Sequence, residues 1–114
     1  MPVVEQFGPA LVLVSAGYDA HARDPLGGMK LDGLAYGWMT KQLLAVGKSG
    51  QVPMGLLLEG GYDLQGVTDG VAHTISALMG REPNAEPTST NAITPRHEAE
   101  LARAAASASS SWQL

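Results

Sequence analysis

Leu11-Val12-Leu13-Val14-Ser15-Ala16-Gly17-Tyr18-Asp19-Ala20-His21 is the stretch on which the fold turns. Its first four residues form a continuous apolar run containing two β-branched valines, the pattern of a strand covered on both faces. The run stops at Ser15-Ala16-Gly17, and a loop rich in Gly, Asp and Pro continues to Asp32. Downstream the same grammar repeats. Residues 33 to 46 carry Leu34, Met39, Leu43 and Val46 near helical spacing, with Gly47 as a stop. Met54 to Leu58 reads as a second buried strand, followed by Glu59-Gly60-Gly61-Tyr62-Asp63. Then Val67, Val71, Ile75 and Leu78 recur at steps of three or four, and Gly80 suits the end of a helix.

Strands alternating with helices predict an α/β fold, a parallel sheet with helices packed over its faces. Both polar loops follow strands, so both fall at the carboxyl edge of the sheet, where open α/β sheets hold their ligands. Two strands do not make a covered sheet, so this pattern expects neighbours that these residues do not supply. Composition divides the chain at about residue 80. Residues 81 to 114 include Glu-Pro-Asn-Ala-Glu-Pro-Thr-Ser-Thr and end in Ala/Ser-rich sequence, too poor in large apolar groups to offset the entropy of ordering. That segment reads as a low-complexity, disordered tail. Within it, Pro95 to Arg103 has good helix formers but almost no apolar stripe, so a helix there would be solvated.

The bulk properties narrow the class. At 114 residues and 45% hydrophobic content the chain suits one small domain or a piece of a larger one. Its net charge of −4 provides no basic field for nucleic acid or an anionic membrane. There are no cysteines, hence neither a disulfide nor a thiolate zinc site. The apolar runs are too short to span a bilayer, and residues 1 to 7 lack the cationic and apolar regions of a secretory signal. An intracellular protein is the default expectation, with no compartment signal.

Two clusters could carry chemistry. The first is the loop from Ser15 to Gly28, with Asp19, His21 and Asp24 at the end of a strand. Carboxylate and imidazole are suitable zinc ligands, and Asp24 precedes Pro25, which favours an extended backbone. The same aspartates are equally the turn and capping residues that loops of this kind use. The second is Glu59-Gly60-Gly61-Tyr62, where paired glycines permit close approach of the backbone and Tyr62 could donate its hydroxyl to an oxyanion. The alternative is a tight turn with Tyr62 packed on the helix. His21 suits a loop residue hydrogen-bonded to backbone, His73 lies off the apolar stripe, and His97 is solvated. No His-x-x-x-His or Asp-x-His pair, phosphate loop or nucleophile elbow is present.

In order and spacing, Phe7-Gly-Pro-Ala-Leu-Val-Leu-Val-Ser-Ala-Gly-Tyr-Asp-Ala-His21, Arg23-Asp-Pro-Leu-Gly-Gly28 and Leu57-Leu-Glu-Gly-Gly-Tyr-Asp-Leu64 resemble the histone deacetylase family. They look most like its class II branch and the related acetylpolyamine amidohydrolases. The resemblance covers residues 2 to 80. It implies the carboxy-terminal part of an arginase/deacetylase-type sheet and the zinc-dependent hydrolysis of an N-acetyl amide, in an acetylated protein or a small acetyl-amide. Carried over by position, it implies that Asp24 is a zinc ligand, that Tyr62 polarises the amide carbonyl, that Gly60 lines the acyl channel, and that Asp19 supports the loop. The family's paired histidines and its Asp-x-His motif have no counterpart in this sequence. The expectation is therefore a chain inactive by itself, supplying one of the zinc ligands. The competing expectation is a non-catalytic interaction module derived from the same fold.

Overall fold

A computed structural model of the chain describes residues 2–46, 52–81 and 93–113. A short helix, α1 (Pro2–Phe7), leads into β1 (Val12–Ala16) and then a long loop. Helix α2 (Gly33–Leu44) follows, then β2 (Met54–Leu58), α3 (Leu64–Leu78) and, apart from these, α4 (Pro95–Ala108). The strands pair in parallel, with Val12 opposite Met54, Val14 opposite Leu56 and Ala16 opposite Leu58. The β-α-β reading of the sequence is thus the architecture found, a small parallel sheet with helices against it.

Side chains of parallel partners share a face, because the strand period is two. Val14, Ala16, Leu56 and Leu58 line clefts together with Met39 and Leu43 of α2 and with Val71, Ile75 and Leu78 of α3. Both helices therefore lie over the same side of the sheet. The other side carries Leu13, 67% exposed, and Leu57, 54% exposed. This is the missing cover that the sequence implied: two strands with both helices on one side leave the second side to solvent among the described residues.

The tightest packing joins α2 to α3, and small residues make it. On α3 the buried positions are Gly66, Gly70, Thr74 and Ala77; on α2 they are Gly33, Ala35, Tyr36, Gly37 and Thr40. The stripe of Val67, Val71, Ile75 and Leu78 marks the helix correctly but is not its buried face. Ile75 and Leu78 stay largely exposed, since the sheet they lean toward has only two strands. Gly70 is required by its neighbours: a Cβ there would lie 2.3 Å from the Tyr18 ring. The Tyr18 and Tyr36 rings fill that space, with centroids 4.9 Å apart. The buried Tyr18 hydroxyl donates to Thr74 Oγ1 at 3.1 Å.

Helices α2, α3 and α4 each start with a side-chain cap, which satisfies donors that the first turn leaves open. Asp32 accepts from Ala35 N at 2.9 Å and Asp63 from Gly66 N at 2.7 Å. Helix α3 ends, as its sequence suggests, with Gly80 at φ +66°. Helix α4 opens with a capping box between Thr94 and His97, and no residue in it is buried. Past that helix, Gln113 N donates to Gln6 Oε1 on α1 at 2.8 Å. Where the composition suggested disorder, residues 93–113 thus include a solvated helix, started by a cap and by Pro95 rather than by an apolar face. Residues 82–92 lie outside the described part.

Candidate functional site

The loops after β1 and β2 meet at the carboxyl edge of the sheet. Ladder bonds run past the strand ends: Glu59 N donates to Ala16 O at 3.1 Å and Tyr18 N donates to Gly60 O at 2.7 Å. This places Asp19 beside Gly60. A Cβ on Gly60 would come within 2.5 Å of Asp19 Oδ2, and one on Gly17 within 3.4 Å of Asp19 Oδ1. Asp19 is exposed, and no hydrogen bond to its carboxylate forms among the described residues. Gly61 takes φ +135°, which a side chain would strain, and a Cβ there would strike Val67 at 2.5 Å.

Asp24 stands in a different environment. It is 8% exposed, and backbone amides surround it. Leu26 N and Gly27 N donate to Oδ1 at 2.9 and 2.8 Å, and Tyr62 N donates to Oδ2 at 2.7 Å. Burial pushes this carboxyl up. The amides of Tyr62, Leu26 and Gly27, helped by the field of His21, outweigh that and hold it below the usual carboxylate range. The turn role of aspartate, one of the two readings of this loop, describes Asp24 well. Its bond to Tyr62 N is also what fastens the first loop to the second.

Tyr62 has its amide in that bond and its side chain 63% exposed, so its ring is not packed on the helix. Asp63, which follows, is held below the ordinary range chiefly by the Gly66 amide; burial opposes this, and Arg23 and His21 add to it. Arg23 Nε donates to Asp63 Oδ1 at 3.0 Å, a second link between the loops.

His21 is a structural loop residue. It is 5% exposed, its Nδ1 accepts from Arg23 N at 3.2 Å, and its Nε2 lies 3.2 Å from Asp69 Oδ2. Asp69 also accepts from Gly33 N at 2.8 Å and has His73 Nε2 at 3.7 Å from its Oδ1. Arg23, Asp63 and Asp69 were not among the residues the sequence singled out. Asp63 was findable as a helix cap, three residues before Gly66. Asp69 had no such signal, since a lone carboxylate in mid-helix reads as a solvated charge.

The site residues therefore divide. Asp19, Gly60 and Tyr62 face the open edge, while Asp24 and His21 organise it from behind. Among the described residues no group of three or more His, Cys, Asp or Glu could hold a metal ion. A zinc centre would need ligands beyond these, with one carboxylate from this edge. Nor is any described helix long and apolar enough to cross a membrane.

A small parallel sheet with helices against it, whose strand-end loops bring a carboxylate, a Gly-Gly turn and a tyrosine together, defines an α/β unit. Comparison with known proteins gives the particular family. Residues 1–78 match the histone deacetylase domain model, and the chain belongs to the histone deacetylase family. Human histone deacetylase 9 is 43% identical over 84 residues, which cover 71% of this chain and 8% of that protein. The chloroplastic histone deacetylase 14 of Arabidopsis thaliana is 36% identical over 85 residues, 72% of this chain and 20% of its own. The structure of the histone deacetylase Clr3 superposes with a TM-score of 0.86 at 31% identity, over 98% of this chain and 18% of Clr3. The chain thus spans between 8% and 20% of these curated relatives.

Proposed function

We propose that this chain supplies one edge of a deacetylase active site that hydrolyses N-acetyl amides, of the acetyl-lysine or small acetyl-amide kind. The observation that carries the reading is the 2.7 Å bond from Tyr62 N to Asp24 Oδ2, which joins the two family-matching loops into one surface. On that surface the exposed Tyr62 hydroxyl would donate to the oxyanion formed on the amide carbonyl. Such a donor lowers the barrier by about 3 kcal/mol when pre-placed. The main chain at Gly60 would form a wall of the acyl channel, because no side chain fits there beside Asp19.

The metal role expected of Asp24 passes, in this proposal, to Asp19. Asp24 is buried and accepts three backbone amides, which engage most of a carboxylate's lone pairs. Asp19 is exposed, stands at the end of β1, and has no donor among the described residues. Zinc, when bound, would polarise the carbonyl and activate water; Asp19 would be this chain's contribution to holding it. With one such ligand, the 114-residue chain is expected neither to bind zinc tightly nor to turn over an acetyl-lysine peptide. A second reading, a non-catalytic interaction module, draws support from the lack of a three-ligand group among the described residues.

A graft separates them. With this segment replacing the matching part of Clr3, turnover of an acetyl-lysine peptide is expected, and Tyr62→Phe should lower kcat about 10²- to 10³-fold. In the same protein Asp19→Ala should remove zinc, measured by metal analysis, while Asp24→Asn should retain it. An inactive but folded, zinc-loaded graft would favour the module. Loss of zinc on Asp24→Asn but not on Asp19→Ala would return the ligand role to Asp24.

A further inference from the structure

We propose that Asp69 is a positioning residue for this edge: through His21 it fixes the turn that holds Asp24 against the Tyr62 amide. The role as a part of catalysis rests on the deacetylase reading above; the positioning itself does not.

The bonds run in sequence from α3 to the site. His21 Nδ1 accepts the Arg23 amide, so in the neutral ring the proton sits on Nε2. That N–H points at Asp69 Oδ2, 3.2 Å away. Asp69 itself is fixed: the same oxygen takes Gly33 N at the start of α2, and the other faces His73. The ring is nearly fully buried and passes close to α3, where a Cβ on Gly66 would come within 2.9 Å of Nδ1. Without Asp69 the Nε2 proton would lose its fixed carboxylate acceptor, whose own side chain is 45% exposed. The ring would turn to find one, and Nδ1 would release Arg23 N. Residues 21 to 24 form one turn, closed by Asp24 N donating to His21 O at 2.9 Å. Moving the ring therefore moves the Asp24 carboxylate, and Tyr62 N is at its far end. Arg23 carries the same displacement to Asp63 through its Nε bond.

The test is amide hydrogen exchange on the ¹⁵N-labelled 114-residue chain, with neither substrate nor metal present. Asp69→Ala, a good helix former at a helical position, should speed exchange at Tyr62, Leu26 and Gly27 about tenfold, the worth of a hydrogen bond to a charged group. Val12 in the sheet and Met79 at the end of α3 donate to Pro53 O and Ile75 O and should change less than about twofold. Asp69→Asn keeps an oxygen acceptor for His21 and Gly33 and should restore most of the protection. His21→Leu should repeat the effect of Asp69→Ala. Unchanged exchange at Tyr62 in Asp69→Ala would overturn the proposal, as would equal acceleration at Tyr62, Val12 and Met79, which would make Asp69 a general stabiliser. Activity plays no part in this readout. A failed Tyr62→Phe test in the graft would remove the deacetylase reading and leave the positioning result standing.

Discussion

Asp24 shows how much one carboxylate can organise through backbone amides alone. Its three amide donors come from two loops, and they bind the ionised form more strongly than the neutral one. The folded pKa therefore lies below the value of about 3.9 of an unfolded aspartate. A group shifted this way stabilises the fold fully above the unfolded pKa, and that contribution is lost as pH falls through the folded pKa. Asp63 is shifted in the same direction, by its cap and by Arg23, so both act in one window. Urea midpoints should be flat above about pH 5 and fall steeply below about pH 4; Asp24→Asn should flatten that fall, with a lower plateau at neutral pH. An equal acid slope in wild type and variant would show that Asp24 is not the titrating group. Tyr36 makes the opposite case. Burial, with the charge of Asp19 and the nearby Tyr18 and Asp24, pushes its hydroxyl up to about 12, and that hydroxyl has no hydrogen-bond partner among the described residues. Tyr36→Phe should therefore be neutral or stabilising by about 1 kcal/mol in denaturant unfolding. Tyr18→Phe, which strips Thr74 of its donor, should cost about 1 kcal/mol or more.

At the scale of elements, α2 and α3 meet through residues chosen for smallness, and Gly70 is where that choice can be measured. Alanine would gain about 1 kcal/mol of helix propensity. Its Cβ would also press into the Tyr18 ring at 2.3 Å, and a ring pinned by its own hydrogen bond cannot swing aside. Overpacking costs about 1–3 kcal/mol, so the clash wins and Gly70→Ala should lower Tm. This face is also where sequence reading reached its limit. Apolar periodicity located α3 and its end at Gly80, because a helix needs only the period. It marked Val67, Val71, Ile75 and Leu78 as the apolar stripe, and hydropathy cannot see that Gly66 is buried against His21, Gly70 against Tyr18 and Tyr36, and Thr74 against Tyr18. Met54–Leu58 was legible to the residue, bounded by Pro53 before it and by Glu59-Gly60 after it. The loops were legible as a site because they follow strands. Which aspartate faces outward was not, since it is decided by contacts between the loops, Tyr18 N on Gly60 O and Tyr62 N on Asp24.

For the whole molecule the open side of the sheet matters most. Leu13 and Leu57 stand on it at 67% and 54% exposure, and Leu11 beside them at 54%. An apolar strand face gains stability only from what covers it, at roughly 25 cal/mol per Å² removed from water. In the described residues that gain is not collected, because both helices lie on the other side. Leu13→Lys should therefore change unfolding stability by no more than about 0.5 kcal/mol, the usual range for an exposed position. Val14→Ala, one residue on and turned toward α2, should cost about 1 kcal/mol or more. The order is expected to reverse once the face is covered. In the Clr3 graft, where this segment would join the remaining 82% of that chain, Leu13→Lys would place a charge against neighbouring structure, whereas Val14→Ala would cost what it cost before. Thermal unfolding of both variants in both settings checks this. A large cost for Leu13→Lys in the isolated chain would mean that its outer face is already buried in solution, against a second copy of itself, and sedimentation would then show a dimer.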